Sequence, residues 1–171
     1  MKDAAPLVVV MGVSASGKSS VGAALAAELD VPFLDADDLH PPANVVKMIA
    51  GIPLDDEDRW PWLDAVSARL AASAHEGGLV VACSALKRVY RDRLRAGAAS
   101  VVFIHLDATP ALLQRRATGR EGHFMPSSLL ASQLATLEPL ADDESGMVVD
   151  AAEHVPQIVA DVRAWIESAR R

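Results

Sequence analysis

The amino-acid sequence predicts an α/β fold in which a parallel sheet of five strands carries helices on both faces. Three observations support this prediction. Short apolar runs recur along the chain, stretches with helical patterns separate them, and a glycine-containing loop joins the first run to the first helix. Strands that alternate with helices are typical of a parallel sheet, because each connection has to return from one end of the sheet to the other.

The apolar runs and the segments between them define the elements in order. Runs that are short and rich in β-branched residues are typical of strands buried on both faces. The predicted strands are residues 7–11, 32–34, 79–83, 101–106 and 147–149. The predicted helices are residues 18–29, 41–50, 59–75, 87–95, 109–118, 127–137 and 154–169. No repeat or long linker interrupts this order, so we expect residues 1–171 to form one domain.

The loop after the first strand carries the most specific motif of the chain. Residues 12–19 read Gly-Val-Ser-Ala-Ser-Gly-Lys-Ser and fit the pattern G-x-x-x-x-G-K-[ST]. A strand, a glycine loop and a helix N-terminus together form a ring of backbone N–H groups that faces an anion. Lys18 is placed to reach the β- and γ-phosphates of a nucleotide, and the Ser19 hydroxyl is placed to ligate Mg²⁺. The sequence therefore predicts that the chain binds a nucleoside triphosphate.

Two aspartates follow the second predicted strand. Asp35 and Asp37 are separated by one residue, so an extended backbone puts both carboxylates on the same side. In a doubly wound sheet, ligands bind beyond the carboxyl ends of the strands, near the phosphate loop. One carboxylate is expected to help hold Mg²⁺ through its waters and the other to orient or deprotonate an acceptor hydroxyl. The alternative is that these aspartates only cap a helix, a role for which Asp38 is a candidate.

Cations and small polar residues lie near the other predicted strand ends. Arg59 follows an acidic segment that we expect to be a loop over 52–58, and it is a candidate bidentate clamp for a carboxylate or a phosphate. The alternative for Arg59 is a surface salt bridge with a neighbouring aspartate, Asp56 or Asp58. Ser84 and Lys87 follow the third strand, again on the side where a ligand binds.

A polar segment with glycines lies between two predicted helices, at about residues 119–127. In a nucleotide enzyme such an insert is expected to be a lid, although a plain helix–helix connection is the alternative. Arg115, Arg116 and Arg120 flank or enter it. A mobile arginine can stack on a base or neutralise charge on a transferring phosphoryl group. We expect Arg116 and Arg120 to contact the nucleotide and Arg115 to be a solvated helix residue.

Composition limits the classes of partner and the cellular compartment. The chain has 171 residues with a formal net charge of −7, so it has no global electrostatic reason to bind nucleic acid or an anionic membrane. No segment has the length and apolar character of a membrane span. Cys83 is the single cysteine, which favours a reducing compartment, and we expect it to be a buried apolar residue. These features predict a cytoplasmic protein.

Three blocks of residues resemble the gluconate kinase family. The first lies within residues 35–63 and includes Asp35-Ala36-Asp37, His40-Pro41, Asn44 and Asp58-Arg59; the second is residues 83–92; the third, within 120–138, includes Gly122-His123-Phe124 and Ser132-Gln133. Shikimate kinases and nucleoside monophosphate kinases do not share these blocks. The resemblance covers nearly the whole chain. The sequence departs from the family pattern at Glu121, where a basic residue is usual, and at Leu134, where phenylalanine is usual.

The resemblance implies a three-layer P-loop kinase fold with a small lid. It also implies a homodimer and the ATP-dependent phosphorylation of D-gluconate at its 6-hydroxyl. The product, 6-phospho-D-gluconate, would enter the pentose phosphate route. Gluconate is a polyol with one carboxylate, so its site needs a cation for the acid end and a carboxylate for the reacting hydroxyl; Arg59 suits the first need and Asp37 the second. Neutralising the transferred group then falls to Lys18, to Arg120 and to Mg²⁺ on Ser19 and Asp35.

The expected site residues fall into four groups. The catalytic residues are Lys18, Asp37 and Arg120. The ATP-binding residues are Gly12, Ser14, Ala15, Ser16, Gly17, Lys18, Ser19, Ser20, Arg116 and Arg120. The substrate-binding residues are Asp37, His40, Arg59, Ser84 and Lys87, among which His40 is expected to hydrogen-bond a polar substrate. The Mg²⁺ ligands are Ser19 and Asp35.

Two alternative functions have different consequences for this site. One is a kinase for another small sugar acid or for shikimate. The other is a nucleotide-dependent switch without chemistry of its own. A guanine switch normally carries an Asn-Lys-x-Asp motif, which this sequence lacks. A switch also has no use for Arg59 and an aspartate pair that face a second ligand.

Overall fold

The structure of the protein, a computed structural model, describes residues 5–118 and 128–171. In that part of the chain strands and helices alternate along the sequence. The strands are β1 (Leu7–Met11), β2 (Phe33–Asp35), β3 (Leu79–Ala82), β4 (Val102–Asp107) and β5 (Gly146–Asp150). The α-helices are α1 (Lys18–Leu29), α2 (Pro42–Ile49), α3 (Asp56–Glu76), α4 (Arg88–Gly97), α5 (Pro110–Thr118), α6 (Ser128–Thr136) and α7 (Val155–Ala169), and a 3₁₀-helix spans Ala36–Leu39.

The five strands form one parallel sheet in the order β2-β3-β1-β4-β5. The central strand is β1, in which Val9 pairs with Val81 of β3 and with Phe103 of β4. All strands point the same way, so their carboxyl ends lie along one edge of the sheet. The phosphate loop, the aspartate pair and the turn after β3 leave from this edge. The predicted parallel five-stranded sheet is confirmed.

Apolar side chains from the sheet pack into two cores, one on each face. Alternate residues of β1 divide between them: Val9 and Met11 join one core with α3 and α4, while Val8 and Val10 join the other with α1 and α7. This division follows from the two-residue period of a strand. The prediction of helices on both faces is therefore confirmed. None of the helices in the described ranges combines the length and apolar composition that a bilayer crossing requires.

Helix α3 begins three residues earlier than the sequence pattern predicts. Its first residue is Asp56, and Asp55 is the N-cap. The Asp58 amide donates to Asp55 Oδ1 at 2.8 Å, and the Asp55 amide donates to Asp58 Oδ2 at 3.0 Å, which forms a capping box. Carboxylates in a first turn also favour the helix dipole. The interpretation of 52–58 as a loop was wrong in its last part, because an acidic cap resembles a loop in composition.

Cys83 is buried beneath the turn that follows β3, as expected. Cys83 is 1% exposed, and burial raises the pKa of its thiol to about 12. A thiol with such a pKa stays protonated at neutral pH and is a poor nucleophile. Cys83 therefore acts as a small apolar residue of the core.

A fully buried ion pair joins α4 to the segment before β5. Arg91 Nε lies 2.7 Å from Glu144 Oε1, and Arg91 Nη2 lies 2.9 Å from Glu144 Oε2, with neither side chain exposed. Arg91 also donates to the carbonyls of Ala85, at 2.9 Å, and of Glu138 and Pro139, at 3.2 Å each. Burial alone would raise the pKa of Glu144, but the hydrogen bonds from Arg91 and neighbouring donors lower it to about 2. Arg91 thus links two separate stretches of backbone, and it links both to the side chain of Glu144.

We expect Arg91→Met to lower the free energy of unfolding by about 3–5 kcal/mol, because the buried Glu144 carboxylate would lose its bidentate partner and keep the contact from Arg95 Nη2 at 3.0 Å. Urea unfolding followed by circular dichroism measures this change. Arg93→Met is the matched control, since Arg93 pairs with Asp64 on the surface, where ion pairs contribute at most about 1 kcal/mol. Equal losses of unfolding free energy in the two variants would contradict a special contribution of the buried pair to stability.

The same pair predicts an acid-dependent loss of stability. The pKa of Glu144 is about 2 in the folded protein against an ordinary value of 4.5, so the folded state binds fewer protons between these values. The contribution of Glu144 is therefore fully present above about pH 4.5 and is lost as the pH falls towards about 2. The free energy of unfolding, measured across this pH range, should depend less steeply on pH in Glu144→Gln than in the wild type.

Candidate functional site

A cleft of about 950 Å³, open to solvent, lies at the carboxyl edge of the sheet. Several residues that the sequence predicts as ligands line it together: Ser14, Ala15, Gly17, Lys18, Ser19, Asp35, Asp37, His40, Arg59 and Ser84. They come from four separate stretches of the chain, after β1, after β2, in α3 and after β3. The remaining lining residues are Met48, Pro53, Leu54, Trp62, Leu129, Ser132 and Gln133.

The phosphate loop turns back on itself between β1 and α1. Gly12, Ala15 and Gly17 have positive φ angles of 149°, 67° and 97°. Gly12 does not line the cleft; a Cβ there would lie 2.8 Å from the Ser16 hydroxyl oxygen, so its role is a close approach inside the loop. Lys18 Nζ donates to the Val13 carbonyl at 2.9 Å, which places the ammonium group within the loop.

Two residues that the sequence predicts as nucleotide contacts, Ser16 and Ser20, do not line the cleft. Ser16 is buried, and its hydroxyl makes no hydrogen bond within the described residues. Ser20 is exposed on the first turn of α1. Any contact that these two residues make with a nucleotide through their backbone N–H groups stays a prediction.

A hydroxyl and a carboxylate meet where α1 begins. Ser19 Oγ donates to Asp35 Oδ2 at 2.7 Å. Asp35 Oδ1 accepts from the Asp37 amide at 3.0 Å, so Asp35, rather than Asp38, caps the short 3₁₀-helix. Hard oxygen donors of this kind suit Mg²⁺, which usually keeps several waters and binds substrate phosphates as well. Within the described ranges, no group of three or more His, Cys, Asp or Glu side chains is arranged to hold a metal ion.

His40 is held rigidly at the wall of the cleft. Its ring stacks on Trp62 at a centroid distance of 4.1 Å and an angle of 16°, and the Trp62 indole donates to the Ala36 carbonyl at 2.7 Å. His40 Nε2 lies 3.9 Å from Asp37 Oδ1. Burial, helped by the charge of Arg59, lowers the pKa of His40 to about 4, although Asp35 opposes this shift. The imidazole is therefore neutral near pH 7.

Arg59 reaches the cleft from the first turn of α3. Its Nη1 donates to the Tyr90 hydroxyl at 2.9 Å, and its guanidinium carbon lies 5.3 Å from the centre of the Tyr90 ring. The Tyr90 hydroxyl in turn donates to Asp56. The alternative of a salt bridge from Arg59 to Asp56 or Asp58 is not found, because Asp58 pairs with Lys47 and Asp56 binds other donors.

Lys87 does not line the cleft. Its Nζ donates to Asp56 Oδ1 at 3.0 Å, and it borders a shallow groove beside the cleft that Arg59 also borders. The hydrogen bond that Lys87 donates to Asp56 raises the pKa of Lys87, so its ammonium group stays charged. Its role as a direct substrate ligand stays a prediction.

The three arginines near the expected lid differ in their surroundings. Arg115 is exposed, as predicted. Arg116 Nη1 donates to the Ser16 carbonyl at 3.0 Å and its Nη2 to the Ala151 carbonyl at 2.7 Å, so it joins the phosphate loop to the turn after β5. Arg120, together with the rest of residues 119–127, lies outside the described residues.

Helix α6 contributes a contact that the sequence did not predict. The Ser14 amide, in the phosphate loop, donates to Gln133 Oε1 at 2.6 Å. Gln133 belongs to the third block of the family resemblance, and this membership was the one signal available for it. Nothing in the local pattern of α6 indicates which face meets the loop. The sequence also did not predict the apolar wall formed by Met48, Pro53 and Trp62, because local patterns do not show that these side chains face the cleft.

Comparisons with known proteins find kinases among the relatives of this chain. A family model described as "AAA domain" matches residues 7–140. A gluconokinase of Gluconobacter oxydans is 48% identical over 155 residues, which cover 90% of this chain and 86% of that protein. The crystal structure of a sugar kinase from Janibacter superposes with a TM-score of 0.91 at 48% identity over 95% of both chains. That of a gluconokinase from Sinorhizobium meliloti superposes with a TM-score of 0.88 at 46% identity, over 99% of this chain and 95% of that one.

The contact between α6 and the phosphate loop gives a prediction that does not depend on activity. In Gln133→Ala the Ser14 amide loses its acceptor, and we expect its hydrogen exchange to accelerate by roughly tenfold, the value of one net hydrogen bond. Amide exchange followed by NMR measures this rate. Ser132→Ala, in the same cleft wall, is the control and should leave the rate unchanged. Unaltered exchange in Gln133→Ala would show that this hydrogen bond does not hold the loop.

Proposed function

The chain belongs to the gluconokinase family, and from this membership we propose how its residues carry out the phosphorylation of gluconate. The protein is an ATP-dependent kinase with the P-loop fold, and its acceptor is D-gluconate. We assign the transfer of the γ-phosphoryl group to the 6-hydroxyl, which gives 6-phospho-D-gluconate and ADP. The observation that carries this assignment is the cleft in which Lys18, Asp37 and Arg59 meet.

The two ends of gluconate need opposite partners. We assign the carboxylate end to Arg59, whose planar fork matches a carboxylate, with Lys87 adding positive charge from the neighbouring groove. We assign the reacting hydroxyl to Asp37, which would accept its proton as the oxygen attacks phosphorus. His40 and Ser84 also line the cleft, so they are proposed to hydrogen-bond the polyol.

The nucleotide is proposed to bind through the phosphate loop and its neighbours. Lys18 and the backbone N–H groups of residues 14–20 would hold the phosphates, and Arg116 would border the nucleotide from its position above the loop. Ser19 and Asp35 are proposed to hold Mg²⁺, which, when bound, neutralises charge on the transferred group. We propose that residues 119–127 are a lid of a single kinase domain and bring Arg120 to the phosphates.

We also propose a cytoplasmic homodimer whose product enters the pentose phosphate route. The family resemblance supports the dimer. A candidate interface is the apolar surface on and just after α2, where Val46, Ile49 and Ile52 are 66%, 57% and 50% exposed. Light scattering coupled to size exclusion measures the mass. A double change of Val46→Glu and Ile49→Glu should yield a monomer, whereas Val89→Glu, at an exposed apolar residue of α4, should not.

A panel of sugar acids assayed with ATP tests the proposed function. ADP release should depend on gluconate, and kcat/KM should be highest for gluconate among related acids. Lys18→Ala should abolish turnover, because its charge stabilises the transferring group, while circular dichroism stays that of the wild type. Slow ADP release that no sugar acid accelerates would instead indicate a nucleotide-dependent switch.

Arg59→Lys should raise the KM for gluconate far more than the KM for ATP. Lysine keeps the charge but cannot make the bidentate pair with a carboxylate. Losing one charge-assisted fork costs about 2 kcal/mol, or about thirtyfold in affinity. Steady-state kinetics with each substrate varied in turn measure both constants. Equal changes for the two substrates would move Arg59 to the phosphates or to a structural role with Tyr90.

Asp37→Asn and Asp35→Asn should fail in different ways. Asp37→Asn keeps the size of the side chain but removes the base, so kcat should fall by roughly 10²–10⁴-fold with little change in ATP binding. Asp35→Asn removes a carboxylate beside Ser19, so its defect should be partly relieved by high Mg²⁺. Mg²⁺ titrations of kcat for both variants make the comparison. Rescue of Asp37→Asn alone would reverse the roles, and identical profiles would mean that the pair acts as one metal-binding unit.

A further inference from the structure

A buried asparagine on α2 contacts the histidine of the cleft. Asn44 is 3% exposed, and its Nδ2 makes two hydrogen bonds. Asn44 Nδ2 donates to the carbonyl oxygen of Asp58 at 2.9 Å, and it also lies 3.3 Å from His40 Nδ1. A carbonyl oxygen only accepts, so the Asp58 contact fixes which end of the Asn44 amide is nitrogen. The amide nitrogen of Asn44 therefore faces both the Asp58 carbonyl and His40.

The contact with Asn44 decides where the proton of His40 lies. The amide nitrogen of Asn44 donates and cannot accept, so His40 Nδ1 must be the acceptor. A neutral imidazole carries one proton, which then resides on Nε2. We propose that Asn44 is a positioning residue that holds His40 in the Nε2–H tautomer, and that this N–H donates to the gluconate hydroxyl oxygen that lies against Asp37.

The geometry on the Nε2 side suits one oxygen atom. Nε2 and Asp37 Oδ1 are 3.9 Å apart, which is too long for a direct hydrogen bond but allows a single hydroxyl oxygen to lie within reach of both. That hydroxyl can donate its proton to Asp37 while it accepts from His40. The ring cannot turn easily, because it stacks on Trp62 and its side chain is 4% exposed. This assignment rests on the proposed function.

Burial and the neighbouring charges keep the His40 ring neutral near pH 7. Burial and the charge of Arg59 together lower the pKa of His40 to about 4, although Asp35 opposes these effects. Asp37 also faces the ring, with its Oδ1 3.9 Å from His40 Nε2. An imidazolium would also carry a proton on Nδ1, directed at the donating Asn44 amide. Asn44 thus disfavours both the charged ring and the other tautomer.

The tautomer can be measured without substrate, so this test is independent of the proposed function. In ¹⁵N NMR of the imidazole rings above about pH 6, His40 should show an unprotonated Nδ1 and a protonated Nε2. Asn44→Asp replaces the donor by an acceptor, so Nδ1 should gain a proton and the pKa of His40 should rise. The signals of His75 and His154 are internal controls and should not change. A protonated Nδ1 in the wild type would overturn the proposal, whether or not any variant folds.

Kinetics test the donor itself, with a pair of matched variants. His40→Phe keeps a ring against Trp62 but removes the donor, and we expect at least about a tenfold rise in the KM for gluconate with the KM for ATP unchanged. His40→Gln keeps an N–H donor near the position of Nε2 and should recover most of that loss. If the wild type phosphorylates gluconate and both variants behave alike, the proposal fails while the proposed function stands. If the wild type does not act on gluconate, the NMR result still decides the tautomer.

Discussion

The buried pair of Arg91 and Glu144 is the interaction on which the wall of the cleft depends. Its hydrogen bonds join the turn after β3, the segment just after α6 and the segment before β5. A buried guanidinium has to satisfy its donors, so these backbone carbonyls are held in place. The Glu138 amide also donates to the Leu86 carbonyl at 2.7 Å. As a result, Ser84 and Gln133 take fixed positions around the same cleft although they lie far apart in sequence.

The site concentrates opposite charges in a chain that is acidic overall. With a net charge of −7, the protein attracts phosphates and a sugar acid only through local groups. In the proposed site, Lys18 and the loop amides supply that attraction at one end of the cleft and Arg59 supplies it at the other. In the same proposal, Asp35 holds a metal ion and Asp37 accepts a proton. These two proposed roles are separated because the Ser19 hydroxyl donates to Asp35.

Much of the fold and part of the site could be predicted from the sequence. The phosphate loop and the aspartate pair were recognised because both are contiguous patterns whose backbone geometry follows from residue type. The errors arose where local patterns were ambiguous. The first turn of α3 resembles a loop because its cap is acidic. The sequence pattern also does not show which of the neighbouring aspartates caps a helix, whereas in the structure the Asp37 amide donates to Asp35.

The sequence by itself determined the order of strands and helices, the anion-binding loop and the family to which the chain belongs. Tertiary structure alone decided that Gln133 contacts Ser14 across 119 residues, that Arg116 joins two loops, and that Asn44 faces His40. The physical reason is the range of the interactions. A strand or a glycine loop is specified by neighbouring residues, whereas the meeting of two distant side chains depends on how helices pack on the sheet, and that packing is set by both cores together.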